Sequence, residues 1–119
     1  MKYSLLILLF GFAFVSCDKD DDPMEMDDCD TTDVTYSNTV SGIFNASCAT
    51  AGCHVDGNEM NAFFSLEGYE KSKTAAEFGR MVGSIKHTEG FSPMPKGGSK
   101  LDDCDIEKVE AWINAGYPQ

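Results

Sequence analysis

Asn45-Ala46-Ser47-Cys48-Ala49-Thr50-Ala51-Gly52-Cys53-His54 sets a histidine directly behind the second of two cysteines. Two such thiols can form thioethers with the vinyl groups of a porphyrin, and the adjacent histidine can reach the iron from the proximal side, as at a c-type haem attachment site. Four residues, rather than the usual two, separate the cysteines. Ala49, Thr50, Ala51 and Gly52 are small, and Gly52 has access to backbone conformations closed to other residues, so the extra pair can loop out without moving either sulfur far. Two other chemistries fit parts of the pattern. A Cys48–Cys53 disulfide is easily formed in an exported protein. A zinc ion could take Cys48, Cys53, His54 and a fourth ligand, but adjacent Cys53 and His54 would strain to reach one tetrahedral ion, and paired ligand knuckles are absent.

Forty residues after His54 lies Met94, within Gly90-Phe91-Ser92-Pro93-Met94-Pro95-Lys96-Gly97-Gly98. A methionine thioether is a soft, weak ligand suited to the second axial position of a haem iron. Pro93 and Pro95 stiffen the backbone around it and keep it out of a helix. A lone methionine is ordinarily core filler; one between prolines in a Gly-rich loop is not. His87 is the rival axial ligand, and Arg80 and Lys96 are candidates to neutralise haem propionates.

Three helices are expected around these loops. Ser37 or Asn38 can cap the first, whose Val40, Ile43 and Phe44 share a face and which ends near Ser47, delivering Cys48. The second is expected over residues 74–85, with Phe78, Met81, Val82 and Ile85 at helical spacing. The third starts at the cap Asp102, carries Ile106, Val109, Trp112 and Ile113 as its apolar stripe, and stops at Gly116 and Pro118. The first and last helices most simply pack on each other, and Trp112 reads as a core aromatic.

The 119-residue chain divides into three parts. Residues 1–16 carry Lys2 and an apolar run from Leu5 to Val15, the layout of a signal peptide and too short to span a bilayer comfortably. Phe14-Val15-Ser16-Cys17 resembles a lipobox, which implies acylation of Cys17 after cleavage. Residues 17–33 hold nine acids and one lysine, a net of −8 and too little apolar content to pack, so they are expected to form a linker. Residues 34–119 carry eleven acids and seven bases, a net of −4. No basic patch exists to neutralise phosphates, which argues against nucleic acid. A domain this small must supplement its core with disulfides, a metal or a cofactor.

From about Tyr36 to Pro118 the chain resembles a small class I-type cytochrome c domain of the kind found in envelope proteins of Bacteroidetes and planctomycetes. The resemblance is carried by Tyr36-Ser37-Asn38, Ile43-Phe44, Cys48, Gly52-Cys53-His54, Ser65-Leu66-Glu67-Gly68-Tyr69, Met94-Pro95-Lys96-Gly97-Gly98 and Trp112-Ile113-Asn114-Ala115-Gly116. It implies an all-α, three-helix domain around one covalent haem c, with thioethers at Cys48 and Cys53 and axial ligands His54 and Met94. Cys followed by an acidic run also resembles the surface-export signal of Bacteroidetes lipoproteins. The expected location is the cell envelope, lipid-anchored at the outer membrane on its periplasmic or surface face.

With Cys17, Cys48 and Cys53 assigned, Cys29 and Cys104 are expected to pair, or else to remain two thiols. Closing a loop of 75 residues contributes roughly 4 kcal/mol in the chain-entropy model. A haem with both axial positions filled by protein has no open site for substrate, so the expected function is one-electron exchange with envelope redox proteins rather than catalysis. The enzyme-class alternative is a haem whose Met94 dissociates, giving peroxidase-like or ligand-sensing chemistry.

Overall fold

The structure is a computed structural model that describes residues 29–56 and 63–119. Residues 1–16, expected to form a signal peptide, Cys17, and most of the stretch expected to form an acidic linker lie outside the described residues. Those described are helical, with no strand among them. A π-helical turn, Tyr36–Val40, runs directly into α1, Ser41–Ser47; α2 is Tyr69–Glu77, α3 is Met81–Ile85 and α4 is Asp103–Asn114.

The first helical segment begins two to three residues earlier than expected. Thr35, not Ser37 or Asn38, is its cap: the Asn38 amide donates to Thr35 Oγ1 (3.2 Å) and the Thr35 amide donates to Asn38 Oδ1 (2.9 Å). This is a reciprocal capping box with asparagine in the place usually held by Glu or Gln. Asn38 Nδ2 also donates to the Asp33 carbonyl at 2.8 Å, fastening the incoming chain.

The single helix expected over residues 74–85 is two. α2 starts at Tyr69 and ends at Glu77, and the chain turns at Gly79 (φ 74°) before α3. The buried face of α2 is Ser72, Ala75 and Ala76, small residues one helical turn apart. Ser72 donates its hydroxyl to the Leu66 carbonyl at 3.0 Å, so its burial leaves no unsatisfied polar atom. Phe78, assigned by periodicity to the apolar face, is 60% exposed. It caps α2 and joins Phe63 and Phe64 in an aromatic cluster with centroids 4.7 Å (Phe64) and 6.2 Å (Phe63) away.

α4 follows expectation most closely. Asp102 caps it by accepting from the Cys104 amide at 2.9 Å, and Ile106, Val109 and Trp112 are buried while Ile113 is partly so. The first helical segment packs on it through Trp112, which stands edge-to-face against Phe44 at 6.2 Å and tilted against Tyr36 at 6.1 Å. Cys29 and Cys104 form a disulfide, with Cα atoms 5.3 Å apart, that joins the chain just ahead of the domain to the first turn of α4.

The last three residues do more than end the chain. The Pro118 carbonyl accepts from both the Tyr36 amide and Trp112 Nε1, each at 2.9 Å, and the Tyr117 carbonyl accepts from the Tyr69 hydroxyl at 2.8 Å. The tail thereby ties α4 to the start of the first helix and to the start of α2. Deleting residues 117–119 strips acceptors from three donors; at about 1 kcal/mol net each, the domain should lose about 3 kcal/mol. Denaturant unfolding measures this, and a loss below about 1 kcal/mol would show that the tail is not a clasp.

Candidate functional site

α1 ends at Ser47 because the chain beyond it folds back. The amides of Cys48 and Ala49 both donate to the Phe44 carbonyl (2.8 and 2.7 Å), and the His54 amide donates to the Cys48 carbonyl at 3.1 Å. The stretch from Cys48 to His54 is thus a closed loop. The four intervening residues are absorbed by a turn in which the Cys53 amide donates to the Thr50 carbonyl at 2.9 Å, with Gly52 at φ 82°. Positive φ at the third position of a four-residue turn is where glycine is needed, so Gly52 acts as expected from the sequence.

The loop brings Cys48, Cys53 and His54 together. Neither Cys48 nor Cys53 is in a disulfide, so that alternative is not formed here. Cys48 packs partly buried against the core. Burial, with a smaller contribution from nearby Cys53, pushes its thiol from an ordinary 9.0 up to about 11. Among the described residues no group of three or more His, Cys, Asp or Glu is arranged to hold a metal ion directly. The zinc alternative therefore finds no support in the geometry.

His54 is fixed at both its ring and its backbone. Its Nδ1 lies 2.7 Å from the Phe64 carbonyl oxygen. A carbonyl has no proton to give, so Nδ1–H is the donor, and in a neutral ring that leaves the lone pair on Nε2. The His54 carbonyl in turn accepts from the Leu66 amide at 2.9 Å. Residues 54–56 and 64–67 lie side by side, and the pairing continues past the histidine. The Asp56 amide donates to Glu67 Oε2 at 2.7 Å, and Lys71 bonds the Asp56 carboxylate. The Lys71 ammonium, then the Ser65 hydroxyl, hold that carboxyl below its usual range. Within Ser65-Leu66-Glu67-Gly68-Tyr69, Leu66 is the residue that bonds the His54 backbone, and Phe64 just ahead of the stretch holds the ring. Phe64 was missed because its contribution is a backbone carbonyl, which leaves no mark on residue type.

Met94 lies in a second loop, after α3. Its amide donates to the Ser84 carbonyl at 3.0 Å and its carbonyl accepts from His87 Nε2, also at 3.0 Å. His87 is exposed, and its Nε2–H donates to the Met94 carbonyl. Arg80 stacks over the Phe91 ring at 5.0 Å, and Lys96 is exposed. Phe63 is 81% exposed beside Phe64 and Phe78, an aromatic surface adjoining the carbonyl that holds His54. An open cleft of about 610 Å³ is lined by Asp56, Phe63, Phe64, Ser65, Glu70, Lys71 and Thr74. None of the thiols, His54 or Met94 lines it, so it is not where the donor set lies.

Compared with protein-family models, with curated proteins and with solved structures, the chain gives no match.

The two thiols should differ in reactivity. In chain produced without haem, iodoacetamide at pH 8 should alkylate exposed Cys53 first, because Cys48 is partly buried and its thiol, raised from 9.0 to about 11, carries about a hundred-fold less thiolate than it would unshifted. Cys48 labelling should climb with pH up to about 11. A folded-state pKa raised in this way favours the protonated thiol, so the stability it contributes is complete below 9.0 and is lost as pH rises toward about 11. Peptide mapping of the labelled chain checks the order; equal rates at pH 8 would contradict it.

Proposed function

We propose that this chain is a membrane-tethered electron-transfer protein with one covalent c-type haem, attached at Cys48 and Cys53 and ligated by His54 and Met94. The observation that carries the reading is the hydrogen bond from His54 Nδ1–H to the Phe64 carbonyl. A ligating histidine needs its other ring nitrogen engaged by an acceptor, which fixes the tautomer, orients the ring and makes the free nitrogen more basic. His54 meets that requirement directly behind a pair of thiols.

The rest of the donor set is consistent with it. Cys48 and Cys53 are thiols drawn into one closed loop with His54, the residue types that thioether attachment needs. Exposed Phe63 and Phe78 offer the kind of apolar aromatic surface that marks a binding site. Met94 is a soft donor held at both its amide and its carbonyl. When bound, a c-type haem supplies one-electron exchange between ferric and ferrous iron. The chain's own part would be to hold His54 and Met94 in place; with both bound to the iron no position would be left for substrate, which favours a carrier over an enzyme.

Lipid on Cys17 and the acidic stretch behind it would keep the domain at an envelope membrane. There it would meet its redox partners at raised effective concentration. The Cys29–Cys104 bridge ends that tether at α4.

Met94 decides between carrier and ligand-binding enzyme. In protein matured with haem c, the wild type should show a methionine-to-iron charge-transfer band at the red edge of the visible and respond little to carbon monoxide when reduced. Met94→Ala should lose the band, bind carbon monoxide readily, and drop in potential by at least about 100 mV, a fraction of the range axial ligands span. A wild type that already binds carbon monoxide freely would favour the peroxidase-like or ligand-sensing alternative.

A further inference from the structure

The C-terminus of α3 is built as a clamp on Met94. The Thr88 amide donates to the Gly83 carbonyl (2.9 Å) and the His87 amide to the Ser84 carbonyl (3.2 Å). These are the two bonds of a Schellman ending, with His87 at the left-handed position, φ 54°. That position normally belongs to glycine, because a side chain there is strained. His87 accepts the strain, and its ring reaches forward to donate Nε2–H to the Met94 carbonyl at 3.0 Å. The Ser84 carbonyl, already accepting from His87, also accepts from the Met94 amide at 3.0 Å. Both backbone polar atoms of Met94 are therefore held by one helix end. The intervening chain is packed down as well: a Cβ at Gly83 would stand 2.5 Å from the Phe91 ring, and Arg80 covers that ring at 5.0 Å.

We propose that His87 is the positioning residue for Met94: it is not an iron ligand but the donor that fixes the methionine's backbone, and so sets how firmly the thioether holds the iron. This rests on Met94 being the second axial ligand. A side chain at a left-handed position that reaches no partner would serve the fold less well than glycine; the bond to Met94 is what the histidine adds.

The test uses holoprotein matured with haem c and measures the affinity of the ferric form for added imidazole, which must displace the axial methionine. His87→Gly removes the ring and relieves the strained backbone. It should leave the low-spin spectrum in place and global stability unchanged or higher, yet raise imidazole affinity about five-fold, the factor one neutral hydrogen bond is worth. A merely structural histidine would not move affinity against stability in this way. His87→Gln, which restores a donor at similar reach, should return the affinity toward wild type.

The proposal alone is overturned if Met94→Ala raises imidazole affinity while His87→Gly changes it by less than about two-fold. If Met94→Ala leaves the affinity where it was, the axial reading falls and the proposal falls with it. If His87→Gly abolishes the low-spin spectrum, His87 is the ligand.

Discussion

His54 is held from two sides by one short segment: its ring N–H donates to the Phe64 carbonyl and its own carbonyl accepts from the Leu66 amide. Everything around it is arranged to keep that segment still. Ser72 in α2 donates to the Leu66 carbonyl, which docks the helix on the segment, and Lys71, the residue before Ser72, pairs with Asp56, two residues past His54. The ion pair is exposed at both ends and is worth little by itself; the buried Ser72 bond carries more. Losing a bond of the Phe64 kind behind a ligating histidine typically costs ten- to a hundred-fold in metal affinity, about 1.4–2.8 kcal/mol.

A small domain has little core with which to hold such a site, and this one compensates at its ends. Trp112 sits at the centre, fully buried, with Phe44, Tyr36 and Tyr117 around it. The C-terminal carbonyls close the shell from one side, and the Cys29–Cys104 bridge fixes the other end of α4. Two loops depart from this frame, one from α1 with the thiols and His54 and one from α3 with Met94. Each is closed by backbone hydrogen bonds at its own helix end.

Much of this was legible in the residue pattern, and what was not has a physical reason. α4 read correctly because its cap, stripe and stop are all carried by residue type: Asp102, then Ile106, Val109 and Trp112, then Gly116. The turn at Gly52 read correctly because positive φ there calls for glycine. The helix over residues 74–85 misread because Phe78, Met81, Val82 and Ile85 fall at helical spacing even though the chain breaks at Gly79. Periodicity does not register a break when the residues beyond it happen to stay in phase. The true face of α2, Ser72, Ala75 and Ala76, is small and weakly apolar, so it gave little signal. At the site, the donor side chains were visible, but Phe64, Ser84 and Pro118 contribute carbonyls, which any residue could supply. A histidine near the methionine reads from sequence as a rival ligand, whereas the bond His87 makes to the Met94 carbonyl is to backbone and leaves no mark on residue type.

The central claim is covalent attachment of haem to Cys48 and Cys53, and the most direct measurement is the mass of the denatured protein after expression in a host that matures c-type haem. The full mass of one haem should remain on the chain after extraction with acidified organic solvent, located by proteolysis to the peptide that contains Cys48, Cys53 and His54. Haem that extracts completely from wild-type protein, or a chain that leaves such a host with both thiols still alkylatable, would contradict it.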